Sequence, residues 1–137
     1  MSGRKLSPLA LVLMVIAAIG LAGGIWFVGG NYLQWWQIQR VIHSLTLKFP
    51  VGTEFSADKS TVEAAYPRRS TTYTPADCEK WSHYTVPAYT SEDGPCIFGM
   101  VDVSGPYVME AGVQFKLIFG SDNRLRRLYT DPVYTFL

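Results

Sequence analysis

Four residues in this sequence carry side chains suited to nucleophilic or metal chemistry, namely two cysteines and two histidines. Cys78 and His83 are five positions apart, and a thiolate beside an imidazole can act as a nucleophile pair or as two metal ligands. Cys96 and His43 lie outside that segment, and no Cys-x-x-Cys motif is present. A tetrahedral site made of cysteine and histidine alone would have to recruit all four residues, which their spacing does not favour. We therefore expect a protein without enzymatic activity, metal or cofactor.

The two cysteines are better explained as a disulfide. An even pair in an oxidising compartment usually forms a structural bond, and seventeen residues separate Cys78 from Cys96. Closing a loop of that size stabilises a small domain by about 3 kcal/mol, because it restricts the unfolded chain. A disulfide would remove the thiolate that a thiol-dependent enzyme around Cys78 and His83 needs. The compartment that holds these residues therefore decides between the two interpretations.

The compartment follows from the segment Leu9 to Val28, which contains twenty consecutive residues without a charged or strongly polar side chain. Twenty helical residues cover about 30 Å, the thickness of the hydrocarbon layer of a bilayer. The apolar region of a cleavable signal peptide is shorter, at about 7 to 15 residues. We predict an uncleaved transmembrane helix over residues 9–28, with cleavage near Ala22-Gly23-Gly24 as the alternative.

The charges that flank this segment predict its orientation. Arg4 and Lys5 precede it directly, whereas the next basic residue is Arg40. Because basic residues accumulate on the cytoplasmic side, residues 1–8 are expected in the cytoplasm. The predicted location is the bacterial inner membrane, crossed once, with residues 51–137 forming a periplasmic domain.

Small residues recur along the predicted span at four-residue spacing, which allows another helix to approach closely. They form two pairs, expected on adjoining helix faces: Ala18 with Ala22 and Gly20 with Gly24. One interpretation is pairing with a second membrane helix, either a copy of this chain or a different protein. The other is that glycine and alanine are simply common in membrane helices.

Two groups of aromatic residues are candidate contact sites. The first is expected at the outer headgroup layer, where amphipathic rings are enriched, and consists of Trp26, Tyr32, Trp35 and Trp36. The second is a candidate partner-binding loop, because exposed tyrosine and tryptophan are favoured in protein interfaces. It consists of Tyr73, Trp81, Tyr84 and Tyr89. These four rings could equally pack inward to close a small core.

The remaining pattern predicts an α+β fold. In residues 29–50, apolar side chains recur at helical spacing, namely at Ile38, Val41, Ile42, Leu45 and Phe49. This pattern predicts a juxtamembrane amphipathic helix, which either continues the span or turns along the membrane. Pro50 should end it. A short helix to Tyr66 is expected next, capped by Ser56 or Asp58, with Val62, Ala65 and Tyr66 facing the core.

Residues 67–96 have little periodicity and are expected to form a disulfide loop with at most one short strand or helical turn. From Cys96 onward, apolar runs alternate with turn signals. Three or four antiparallel strands are predicted within residues 96–103, 108–119, 125–131 and 133–137. The alternation from Val113 to Phe119 gives this sheet one apolar face, which should pack on the helices.

Net charge argues against nucleic acid as a partner. Without Arg4 and Lys5, ten basic and eleven acidic residues remain, whereas nucleic-acid-binding domains show a clear basic excess. Arg124, Arg126 and Arg127 are expected to be solvated charges that protect a strand edge.

Several of these segments resemble the small envelope domains of the BamE/SmpA type. The resemblance rests on residues 49–53 (FPVGT), on 62–66 (VEAAY) and on the hairpin of residues 115–119 and 122–125 (FKLIF and DNRL). It implies a non-enzymatic scaffold or assembly partner. Those proteins are lipoproteins, whereas this chain has no cysteine near its apolar segment, and the loop between its cysteines is an insertion on the pattern.

Three functional hypotheses follow. The favoured one is a non-enzymatic accessory or assembly subunit of a bacterial inner-membrane or envelope complex. The expected partners of this subunit are the lipid bilayer and a membrane protein, which it binds through the span and the outer domain. The alternative is a membrane-tethered periplasmic binder, such as an inhibitor, immunity or sensor protein. A thiol-dependent enzyme is the third. No small-molecule substrate is indicated.

Overall fold

The computed structural model describes residues 7–82, 90, 92–105 and 109–136. It contains three helices and four strands among these residues, and it confirms the predicted α+β class. In chain order the elements are α1 (Pro8–Lys48), α2 (Phe55–Ala65), β1 (Ser70–Tyr73), α3 (Pro75–Ser82), β2 (Asp93–Val103), β3 (Met109–Gly120) and β4 (Leu125–Phe136).

Helix α1 runs without a break through both the predicted span and the juxtamembrane segment. Ser7 caps its first turn by accepting a hydrogen bond from the amide of Ala10 at 3.2 Å, and Pro8 occupies the first helical position, where no amide partner is needed. The helix ends at Lys48, two residues before Pro50, as the restriction on the residue before proline predicts. The predicted juxtamembrane helix thus continues the predicted span as one helix.

The four strands form one antiparallel sheet in the order β1-β2-β3-β4. Pro132 lies inside β4, opposite Val113, so the two segments predicted before and after it are one strand. A proline is tolerated there because β4 is an edge strand. The predicted disulfide loop contains β1 and the two-turn helix α3, which is more regular structure than its sequence indicates.

One face of the sheet packs on the second half of α1 and on α2, as predicted. Val113, Phe115, Leu117 and Phe119 all point to this face and are buried. Phe49 at the end of α1 stacks on Phe115 with ring centroids 5.8 Å apart. The helices contribute three further buried residues to this core: Ile38, Leu45 and Val62.

The start of α2 differs from the prediction. Its N-cap is Glu54, so the prediction that Ser56 or Asp58 caps the helix was wrong, and Asp58 is buried instead. The amide of Phe55 donates to the carbonyl of Asn123 at 2.8 Å, which fixes the entry to α2 by pairing with the turn between β3 and β4. Local capping preference is overridden by this tertiary contact.

The inner face of α2 is narrower than expected. Val62 is buried and Tyr66 packs against the core, but Ala65 is exposed. The expectation that Ala65 faces the core was therefore wrong.

The opposite face of the sheet carries a smaller core. Cys78 of α3 and Cys96 of β2 are bonded in a disulfide, and both are fully buried beside Ile118. Half-buried rings of Tyr73, Phe98 and Tyr129 surround them. The disulfide thus attaches α3 to the sheet.

Candidate functional site

The first half of α1 has the properties of a membrane span. It is the one helix among the described residues that is long and apolar enough to cross a bilayer, with a mean hydropathy of 2.5 over its most apolar stretch. None of that stretch is buried against the rest of the protein. An apolar surface of this extent needs another apolar environment.

The small residues of the span have no neighbours within the chain. A Cβ atom added to Gly20 or Gly24 would meet nothing within 4 Å. In an ideal helix Gly20 and Gly24 point about 40° apart, whereas Ala18 and Gly20 point about 160° apart. The two pairs therefore lie on nearly opposite sides of α1, and the expectation of adjoining faces was wrong.

The predicted interfacial aromatics lie on the exposed surface of α1, near the end of the predicted span. Trp35 and Trp36 contact each other edge to face, with ring centroids 5.6 Å apart, and Tyr32 lies 6.4 Å from Trp35 and 6.3 Å from Trp36. Trp26 is also exposed and lies within the predicted span. The three clustered rings form a band at one level of the helix.

Gln34 joins this level of α1 to the sheet. Its side chain is only 2 % exposed, and its Nε2 atom donates a hydrogen bond to the carbonyl of Met109 at 2.8 Å. Met109 is the first residue of β3. We call this end of the sheet the proximal end, and its described residues are 103–105, 109–111 and 134–136.

Strand β3 and helix α1 run side by side in the same direction from this point. The Gln34 side chain contacts β3 at Met109, and Phe49 contacts it at Phe115. Fifteen residues at helical rise cover about 22 Å and six strand residues about 20 Å, so the two contacts are spaced similarly along both elements. The turn between β3 and β4 lies at the far end of the sheet.

The disulfide bears on the candidate thiol chemistry. With Cys78 bonded to Cys96, neither sulfur is available as a thiolate nucleophile or metal ligand. His43 is exposed on α1, and His83 lies outside the described residues. Within the described part of the chain, no three His, Cys, Asp or Glu side chains converge as a metal site.

The candidate partner-binding loop is described only in part. Tyr73 is half-buried and packs edge to face on Phe98, with centroids 5.2 Å apart, so this ring closes the smaller core. Trp81 belongs to α3, and Tyr84 and Tyr89 lie outside the described residues.

A buried charged group at the far end of the sheet was missed by sequence reasoning. The carboxylate of Asp93 is buried and forms an ion pair with Arg127. It also accepts hydrogen bonds from the amide of Thr90 at 2.8 Å and from its hydroxyl at 3.0 Å. Burial alone would raise the pKa of Asp93, but these hydrogen bonds and the Arg127 charge outweigh it and lower the pKa. Arg127 is thus not simply a solvated edge charge.

Two other buried charges lie near the cores. Lys116 is 6 % exposed, its Nζ atom lies 4.8 Å above the Phe98 ring, and it has no hydrogen-bond partner among the described residues. Burial, together with the nearby Arg127 charge, lowers its pKa despite the opposite effect of Asp93. Burial raises the pKa of Asp58 to about 6. No sequence pattern distinguishes these three side chains from ordinary surface charges.

A groove of about 560 Å³ opens on the outer face of the sheet near the proximal end. Arg69 and Asp102 line it and form an exposed ion pair at 3.6 Å, so their charges largely offset each other. No buried charge points into the groove among the residues that line it.

Family models, curated proteins and solved structures were compared with the chain, and none of them matches it. The resemblance to BamE/SmpA-type domains stays a prediction.

Proposed function

We propose that this protein is a non-enzymatic, single-span accessory or assembly subunit of a protein complex in the bacterial inner membrane or envelope. The observation that carries the proposal is the continuity of α1, which supplies both the apolar span and the buried core residues Ile38 and Leu45. Because one helix belongs to both parts, the outer domain has a fixed rotation and height relative to the span. That arrangement suits a subunit whose span and domain contact one partner together.

The charge distribution and the disulfide support a periplasmic position for the domain. Arg4 and Lys5 lie on one side of the span, and no basic residue follows until Arg40, which favours a cytoplasmic N-terminus. The bond between Cys78 and Cys96 is of the kind that persists in an oxidising compartment. Both features favour the same orientation.

The glycine face of the span is the favoured contact with a membrane partner. Each glycine in a helix interior costs roughly 1 kcal/mol relative to alanine, and nothing in the described chain approaches Gly20 or Gly24 closely enough to require it. Close approach of a second helix would offset that cost, because small residues let two backbones pack tightly in lipid. The alanine pair, on the other side, has no comparable cost.

Photo-cross-linking in native membranes tests this proposal. A photoreactive leucine analogue at Leu13 would report on the glycine face, since it lies about 20° from Gly20 in an ideal helix, whereas the same analogue at Leu11 lies about 180° away. Both leucines are exposed, which makes them matched probes. We expect a discrete protein adduct from Leu13 and only lipid adducts from Leu11.

The possible results separate the hypotheses. Lipid adducts alone from both positions would contradict a partner bound through the span. If a fragment beginning at Asn31, which keeps Gln34 to Phe49 and hence the core, still binds the same partner fully, the tethered binder is the better description. An adduct to a second copy of this chain would identify the partner as itself.

A further inference from the structure

We propose that the partner bound at the glycine face is a different protein, whose membrane helix ends or bends beneath the outer domain and contacts the proximal end of the sheet. This rests on the proposed function, in which a second helix packs on Gly20 and Gly24. It adds that the partner is not a second copy of this chain in the same orientation.

The glycine face and the outer domain lie on the same side of α1. Gly20 and Ile38 are eighteen residues apart, and so are Gly24 and Ile42. Eighteen residues make five full turns of an ideal helix, so each glycine lies directly below its counterpart. Ile38 is buried in the core and Ile42 packs against it, and α1 is unbroken between these positions. The outer domain therefore projects from α1 on the glycine side.

The opposite side of α1 is uncovered. Trp36 points about 160° away from Ile38 in an ideal helix, and Leu47 points about 180° away. Both side chains are exposed. A neighbouring helix on this side would run past the outer domain without meeting it, whereas one on the glycine side would not.

The height of the proximal end limits how far a helix on the glycine side can continue. Gln34 lies six residues beyond Val28, the last residue of the apolar run, which is about 9 Å farther along the helix. Its Nε2 atom donates to the carbonyl of Met109 at 2.8 Å and so holds the start of β3 at this level. The sheet occupies the side of α1 on which the partner helix packs. A straight partner helix would therefore meet the proximal end about six residues beyond the hydrocarbon layer, and it has to end or bend there.

A second copy of this chain does not satisfy this limit. Its α1 continues to Lys48, fourteen residues or about 21 Å beyond Gln34. If two copies paired through their glycine faces, each outer domain would project toward the other helix. Even at a crossing angle of about 40°, the two axes would be only about 15 Å apart at the level of Gln34. That space does not accommodate two outer domains.

Tyr134 is a side chain at the proximal end that such a partner would meet. It pairs with Ala111 across β3 and β4, and Ala111 belongs to the core on the α1 side of the sheet. Opposite residues of paired strands point to the same face, so Tyr134 also points to the α1 side. Its side chain is 44 % exposed, and exposed tyrosine is favoured in protein interfaces.

Photo-cross-linking of the full chain in native membranes, with two differently tagged copies expressed together, tests the proposal. The photoreactive leucine analogue at Leu13 reports on the glycine face, and benzoylphenylalanine at Tyr134 reports on the proximal end. Benzoylphenylalanine at Trp36 is the matched control, because this exposed aromatic residue is two positions from Gln34 but lies on the uncovered side of α1. Each variant should melt at the wild-type temperature, which confirms that it is folded.

We expect Leu13 and Tyr134 to give adducts with one and the same protein, and Trp36 to give none with it. No adduct should contain both tags. The partner peptide that is cross-linked to Tyr134 should directly follow a membrane span in the partner's own sequence, because the partner helix ends or bends at this level.

The other results separate this proposal from the proposed function. An adduct from Leu13 that contains both tags would show two copies paired through the glycine face, and would overturn the proposal while a partner at the span remains. An adduct with a different protein from Leu13 but not from Tyr134, or equally from Trp36, would show that the partner does not lie beneath the domain. Absence of any protein adduct from Leu13 would contradict the proposed function, and this proposal with it.

Discussion

Truncation of Leu45 tests whether the second half of α1 is part of the folded core. This side chain is 1 % exposed, whereas Leu47, two positions later in the same helix, is 70 % exposed. Replacing a buried leucine by alanine costs 2 to 5 kcal/mol, because apolar contacts are lost and a cavity remains, so about 3 kcal/mol is expected for Leu45→Ala. An exposed leucine-to-alanine change stays within about 0.5 kcal/mol, which makes Leu47→Ala the matched control.

The assay is thermal unfolding of the full-length protein in mild detergent, followed by near-ultraviolet circular dichroism of the outer domain. For a domain of about 100 residues, 3 kcal/mol lowers the melting temperature by about 10 to 20 °C. The Leu47→Ala protein should melt within a few degrees of the wild type. Equal melting temperatures for the two variants would refute the packing of α1 on the sheet.

Three further sets of substitutions test the disulfide, Asp58 and the pair of Asp93 with Arg127 by the same assay. Replacing both cysteines by serine should cost about 3 kcal/mol for a loop of this length, and no loss on substitution would show that the bond is not structural. Because burial raises the pKa of Asp58 to about 6, its protonated carboxyl group should favour folding below pH 4, and this contribution should be lost as the pH rises to 6. Asp58→Asn should therefore reduce the change in unfolding free energy between pH 4 and pH 6 by roughly 1 to 3 kcal/mol. An unchanged dependence of stability on pH would contradict the raised pKa of Asp58. Arg127→Met leaves the buried carboxylate of Asp93 without its ion-pair partner and should lower the free energy of unfolding by about 3 kcal/mol. Arg126→Met removes only the exposed pair with Glu92 and should lower it by less than about 1 kcal/mol. Similar losses for the two variants would contradict the difference in burial between the two pairs.

The elements with strong periodicity were predictable from sequence. The apolar stretch of α1, its amphipathic second half and the alternation in β3 each have one dominant pattern, and the structure has those elements at nearly the predicted positions. Such patterns are reliable because burial of a whole face exceeds any single local preference. The division of β4 at Pro132 failed because the rule against proline in strands does not apply at a sheet edge.

The remaining features depend on contacts between distant segments. The start of α2 is set by hydrogen bonds to the β3–β4 turn, which local capping rules do not include. The pairing of Asp93 with Arg127 joins residues 34 positions apart, and it appears only once β2, β3 and β4 are in register. The hydrogen bond from Gln34 to Met109 has no sequence signal at all, because a single glutamine in an amphipathic helix is normally solvated.

The most direct test of the central claim, that one rigid helix couples the span to the outer domain, is the cross-linking yield from Leu13 after alanine insertion between Gly29 and Gly30. Two alanines rotate the span about 200° relative to the domain, whereas four rotate it about 400°, which nearly restores the original face. We predict that the protein adduct disappears with two alanines and returns with four. Equal yields from both insertions and from the wild type would show that the span and the domain act independently, and would contradict the account.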